Sequence, residues 1–172
     1  MPVHARGFTL IDLLVTLGIG AVLLGLAVPG LAHHRGEVAV RTATSQTLAA
    51  LQLARRLALA RGQTVTVCPS SDGTVCAFGG GQWLLFANDP AGTDNRREAA
   101  DELLQRWQLP AGVTVTGTRG YAAFQPRPGA GTTVTFQFCH PATAERTAIV
   151  ISQTGRARTS RTASGGAPCT TH

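Results

Sequence analysis

The chain is 172 residues long, 44% apolar and 14% charged, with a formal net charge of +6. That length fits one ordinary domain and an additional element, and the composition excludes both wholesale disorder and a multi-span membrane protein. The fifteen basic side chains are all Arg and are unevenly spread. Residues 1–102 hold eight Arg and eight carboxylates, whereas residues 103–172 hold seven Arg and one acid, Glu145, and so carry the whole +6. Such asymmetry creates a field suited to a polyanionic partner, nucleic acid or an anionic surface.

Met1 to Gly7 is short and carries Arg6. From Leu13 to Ala32 no residue is charged, and as a helix that stretch covers about 30 Å, enough to span a bilayer. An ordinary secretory signal places its small-residue cleavage site after the apolar core. Here the Arg6-Gly7 pair precedes it, Asp12 is the one acid near its start, and Pro29 comes late.

Beyond His33-His34-Arg35, at the expected membrane–water boundary, the helix is expected to continue. Val40, Ala43, Thr47, Ala50, Leu51, Ala54, Leu57 and Ala58 recur at spacings of three and four, which makes one apolar stripe. Arg41, Gln52, Arg55 and Arg56 fall largely off it, with Arg55 and Arg56 read as balanced by the acids of the first half. Gly62 supplies a C-terminal stop, and Arg61 stands in the last turn where the helix dipole favours a cation. Strand-like runs follow at Thr64–Cys68, Trp83–Ala87, Leu103–Leu109, Val113–Thr116, Tyr121–Gln125, Thr133–Phe138 and Thr147–Ser152, separated by Gly-, Pro- and Asp-rich turns. The expected fold class is α+β, one long helix packed on an antiparallel β-rich head.

Four cysteines at wide spacing, Cys68, Cys76, Cys139 and Cys169, read as two disulfides in an oxidising compartment rather than as a zinc site, which favours close pairs such as C-x2-C. Proximity favours Cys68–Cys76, which leaves Cys139–Cys169, one of three possible connectivities. The second bridge would tie down the tail that bears Arg156, Arg158 and Arg161. Gly155 suits a turn, and in an extended segment Arg156 and Arg158 face the same side about 7 Å apart, close to the spacing of phosphates along a nucleic-acid strand. Arg161 extends this cluster and Arg146 begins the preceding strand; the plainer reading is an edge strand guarded against aggregation by charge. Trp83, Phe86, Trp107, Phe136 and Phe138 read as core. No catalytic constellation is visible. His140 follows Cys139 without an orienting acid, Gly79-Gly80-Gly81 lacks the Lys-Ser/Thr of a phosphate loop, and Asn88, Asp89, Asp94 and Asn95 lack the spacing of a Ca²⁺ loop. No enzyme activity, metal or cofactor is expected.

The run Gly7-Phe8-Thr9-Leu10-Ile11-Asp12-Leu13-Leu14 resembles the prepilin signature of type IV pilin-like proteins. The resemblance implies that a prepilin peptidase cuts after Gly7 and methylates Phe8. It also implies that Asp12, standing where Glu is usual, offsets a neighbour's N-terminal ammonium during assembly. The segment Cys68–Cys76, then Trp83-Leu84-Leu85-Phe86 with Asp89, and the helix segment Leu51–Arg61 resemble the GspH/FimT group of minor pilins and pseudopilins. Residues 146–158 resemble the FimT branch, in which a Gly-Arg-x-Arg motif, here Gly155-Arg156-Ala157-Arg158, is associated with DNA binding in natural transformation. The implied organisation is a leader at 1–7, a transmembrane and filament-core helix at 8–35, and a periplasmic head at 36–172. The implied partners are DNA, bound mainly through its phosphates, other major and minor pilins, the prepilin peptidase and the inner membrane. The alternative is a structural minor pilin or a type II secretion pseudopilin that does not bind DNA.

Processing gives the first expected outcome. The mature protein begins at Phe8 with a methylated amine, and Gly7→Val leaves the leader uncut; intact-mass measurement distinguishes the two forms, and a mature form starting beyond Ala32 would contradict the pilin reading.

Overall fold

The computed structural model describes residues 9–143 and 146–161, with no side-chain description for 24–31 and 161. The cleavage-site pair Gly7 and Phe8, the acid Glu145 and the cysteine Cys169 therefore lie outside the described residues. Helix α1 runs from Leu10 to Arg61 without a break at Pro29. Thr9 caps it: its hydroxyl accepts from the Asp12 amide at 3.3 Å, and the Asp12 carboxylate accepts from the Thr9 amide at 3.1 Å. This reciprocal box satisfies backbone donors that the first turn otherwise leaves free. At the other end Gly62 takes a left-handed φ of 67° and returns its N–H to the Ala58 carbonyl, a conformation that glycine adopts without a Cβ penalty.

The first half of α1 is apolar and exposed, with Leu10, Ile11, Leu13, Leu14, Val15 and Leu17 all more than half accessible. Among the described residues no helix is long and apolar enough to cross a membrane. The described side chains from Thr9 to Leu23 cover about 22 Å at the helical rise, less than the ~30 Å of a hydrocarbon core. The span expected at 8–35 also draws on Phe8 and on side chains 24–31, which lie outside the described part.

The second half carries the apolar stripe as expected. Val40, Ala43, Thr47, Ala50, Leu51, Ala54 and Ala58 are buried, and Leu57 packs half-buried against the same core. Two antiparallel sheets share this stripe. In chain order the strands are β1 Val65–Ser70, β2 Gln82–Ala87, β3 Glu102–Gln108, β4 Thr114–Gly117, β5 Ala122–Phe124, β6 Val134–Cys139, β7 Arg146–Ile151 and β8 Ala157–Arg161. The first sheet has the order β3-β2-β1-β5, the second β4-β6-β7-β8. Trp83 anchors the shared core, its ring edge-on to Phe136 at 5.2 Å and stacked on Trp107 at 5.8 Å between centroids.

Two features depart from the sequence expectation. Strand β1 continues through Pro69 to Ser70, which is permitted because β5 pairs only with Val65–Val67, leaving the proline beside a partner on one flank alone. An eighth strand follows Gly155, beyond the seven strand-like runs; it is the edge strand of the plainer reading of that segment.

The neck is also fixed. Gly36 is buried where an added Cβ would come within 2.9 Å of the His140 ring, and the His33 imidazole contacts the Ala142 carbonyl at 3.1 Å.

The Cys68–Cys76 disulfide joins β1 to the following loop with its Cα atoms 5.4 Å apart. Inside that loop the exposed Asp72 carboxylate accepts from the Thr74 and Val75 amides at 2.8 and 2.9 Å. Those backbone bonds to the ionised form hold its pKa well below the usual carboxylate range. A depressed native pKa means the loop gains its full support above the unfolded value near ~4 and loses it as the pH falls through the native one. Asp72→Ala should therefore raise hydrogen exchange at the Thr74 and Val75 amides at neutral pH, while Asp72→Asn, which keeps an acceptor, should raise it less; equal protection in Asp72→Ala and wild type would contradict the assignment.

Candidate nucleic-acid interface

Strands β7 and β8 form a hairpin at the edge of the second sheet. Its turn is closed by the Gly155 N–H donating to the Ser152 carbonyl at 2.8 Å and by the Ser152 N–H donating to the Arg156 carbonyl at 3.1 Å. Gly155 has φ 73°, the left-handed region where a side chain would be strained. The register pairs Ile151 with Ala157 and Val150 with Arg158. Alternation sends the buried Ile149 and Ile151 towards the core and puts Arg156 and Arg158 on the opposite pleat, where both are exposed.

The four arginines expected to act together are spread along this ribbon. Arg156 and Arg158 stand at the turn end. Arg146 starts β7 opposite Cys139, half-buried, about 14 Å along the strand from the position opposite Arg158. Arg161 ends β8 opposite Thr147. The structure thus keeps Arg156 and Arg158 adjacent, and places Arg146 and Arg161 at the far end.

The turn end also meets the helix. Arg55 and Arg56 of α1, with Gln52, line one open cavity of about 590 Å³ together with Gly155, Arg156 and Ala157. These helix arginines were expected to stand apart from the basic tail, balanced by acids. Nearly a hundred residues separate them from Arg156 in sequence, and packing of β8 on α1 brings them together. The detectable signal in the sequence is the spacing of Gln52, Arg55, Arg56 and Leu59, which is that of one exposed helix face. Among the described residues Arg55, Arg56, Arg156 and Arg158 make no ion pair, whereas Arg61 is engaged by Glu102 at 2.6 Å.

The remaining candidates resolve as structure. Cys139 is buried and disulfide-bonded, so it offers no thiolate to His140. Asp101 is buried with its oxygens accepting from the Asp89 and Glu98 amides, both at 2.7 Å. Desolvation raises the pKa of Asp94. Among the described residues no group of three His, Cys, Asp or Glu could hold a metal ion. With Cys68 and Cys76 joined, non-reducing peptide mapping should recover Cys139 linked to the peptide that contains Cys169; a free Cys169 thiol would contradict this pairing.

Comparison with known proteins is consistent with these features. The profile of the type II transport protein GspH matches residues 43–155, most of the chain. The pilin-like protein PilA1 of Thermus thermophilus is 40% identical over 95 residues, which are 54% of this chain and 52% of that protein, so the match spans about half the length of this curated relative. Among solved structures, the type IV minor pilin FimU of Pseudomonas aeruginosa superposes with a TM-score of 0.53 at 21% identity, covering 77% of this chain and 95% of FimU. The minor pseudopilin EpsH from the type 2 secretion system of Vibrio cholerae gives 0.53 at 13% identity, covering 71% and 96%. At such identities the two structures share the fold, a helix packed on an antiparallel sheet head. The profile match carries the family. Taken with the long helix and its two-sheet head, it shows that the chain is a type IV pilin-like protein, structural rather than enzymatic, and belongs to the GspH family of minor pilins and pseudopilins.

Proposed function

We propose that this chain is a minor pilin of the FimT kind that binds DNA through the β7–β8 hairpin and supports DNA uptake in natural transformation. The observation that carries this reading is the pair of exposed arginines Arg156, in the hairpin turn, and Arg158, on the edge strand, without an ion-pair partner among the described residues. A purely structural subunit has no need of like charges held together in the half of the chain that is almost free of acids. Phosphate contacts of this type give affinity with little sequence preference. Leader removal at Gly7-Phe8, a membrane anchor over residues 8–35, a periplasmic head at 36–172 and assembly with other pilins through Asp12 complete the reading. The exposed apolar side chains from Leu10 to Leu23 support burial against a membrane or neighbouring helices. The family's own description favours a second reading, a pseudopilin subunit that builds a secretion filament without touching DNA.

Anisotropy with labelled DNA and the full-length protein in detergent separates the two. If about three phosphates are neutralised, log K falls with log salt at a slope near −3 on duplex DNA. Arg156→Gln with Arg158→Gln should reduce that slope by about two and weaken all sequences alike. The control, Arg35→Gln with Arg96→Gln, removes the same charge from exposed sites elsewhere and should leave the slope in place. No DNA binding by the wild type at low salt would establish the structural reading.

A further inference from the structure

The cavity between α1 and the β7–β8 turn is lined by three arginines and no acid. Three guanidinium groups, Arg55, Arg56 and Arg156, open onto a space of about 590 Å³, and none of them has an ion-pair partner among the described residues. Like charges brought together repel, and an anion that enters among them relieves that repulsion. The helix itself offers no alternative source of charge balance. Its macrodipole is negative at the C-terminal end and acts mainly within the last turn, and Arg55 stands six residues, about 9 Å, before Arg61. The field in the cavity is therefore that of the arginines.

Gly155 links the two sides. A Cβ built on it would lie 3.7 Å from Arg55 Nε and 3.4 Å from the Phe124 ring. The Arg55 side chain thus crosses over the bare backbone of the turn, at the one residue there with positive φ. The glycine of Gly155-Arg156-Ala157-Arg158 both closes the hairpin and leaves room for a helix arginine beside the first arginine of the motif. Planar guanidinium forks suit phosphate oxygens, which they can engage through two N–H groups at once. Gln52, on the same helix face, adds a neutral donor.

We propose that Arg55 and Arg56 form, with Arg156, a seat for a phosphodiester backbone, so that bound DNA runs from the edge of β8 into the helix-side groove instead of lying on β8 alone. This rests on the DNA-binding reading above. The site is then composite, with one wall from the stalk helix and the other from the hairpin, and Arg55 and Arg56 are binding residues.

The test uses the full-length protein and a short labelled DNA of random sequence, over about 50–200 mM salt. Arg55→Gln with Arg56→Gln should lower the magnitude of the salt slope by between about one and two, with affinity about three- to tenfold weaker at the low-salt end. Thermal unfolding should be unchanged, because both side chains are exposed. If the helix pair leaves slope and affinity unaltered while Arg156→Gln with Arg158→Gln weakens binding, the groove is not part of the site and the hairpin reading stands alone. If the wild type does not bind DNA at all, both readings fall. A competition arm identifies the anion: inorganic polyphosphate should displace the DNA from wild type far better than poly-glutamate of equal charge. Equal displacement by poly-glutamate would make the groove an acidic-peptide site and overturn the phosphodiester assignment. Should the Gln pair lower the unfolding temperature, Arg55→Lys with Arg56→Lys decides instead: it should retain the slope and lose affinity through the missing fork, and unchanged affinity would count against the seat.

Discussion

One helix face has to serve two sheets at once, and the rest of the head depends on how that is achieved. Between Val40 and Ala58 the buried positions of α1 are mostly small: Ala43, Thr44, Thr47, Ala50, Ala54 and Ala58. Large side chains there would hold the sheets away from the axis and from each other. Small ones let both approach, so the volume of the core comes from the sheets instead, through Trp83, Phe124, Phe136 and Phe138. The close approach also sets the location of β8. Its inward residue Ala157 packs against the shared core, and this brings Gly155 and Arg156 up to the helix.

The carboxylates of the first half are used locally. Asp12 caps α1 with Thr9, Glu37 lies 3.3 Å from His33, Asp72 orders the disulfide loop, Asp101 closes its own loop, and Glu102 pairs with Arg61. For Arg55 and Arg56 the formal balance with these acids is a matter of counting, not of contact. Arg55 and Arg56 are neutral in the sum yet unneutralised in space, which is why charge counted along the chain misplaces them. Electrostatic partners are set by distance in the fold, and over more than a Debye length, about 8–10 Å, exposed charges scarcely compensate each other.

Much of the architecture could be read from the residues. The helix stripe followed from its spacing and its end from Gly62, and the Cys68–Cys76 bridge followed from proximity. Strand β8 was open to reading only as an extended or edge segment, because Ala157-Arg158-Thr159-Ser160-Arg161 contains one apolar residue, too few to show a period of two. Its strand character comes from hydrogen bonding to β7, a tertiary effect. Strand β1 was read too short because Pro69 usually ends a strand, and the exception depends on β5 being brief. Of the composite cavity only the helix wall left a local pattern, in the spacing of Gln52, Arg55, Arg56 and Leu59; its two walls meet only after β8 docks on α1.

The neck described above has a mechanical consequence. At 52 residues, α1 is a rod of about 78 Å, and the head does not hang from it by a hinge. Gly36 lies against the 140–143 loop, His33 touches Ala142, and the stripe from Val40 onward is clasped by both sheets. Among the described residues the head is thus held against the helix at both the neck and the stripe, which fixes the azimuth of Arg156 about the helix axis along with its height. A displacement of the helix between His33 and Ala58 carries the arginine groove with it, because one wall of that groove is the helix itself.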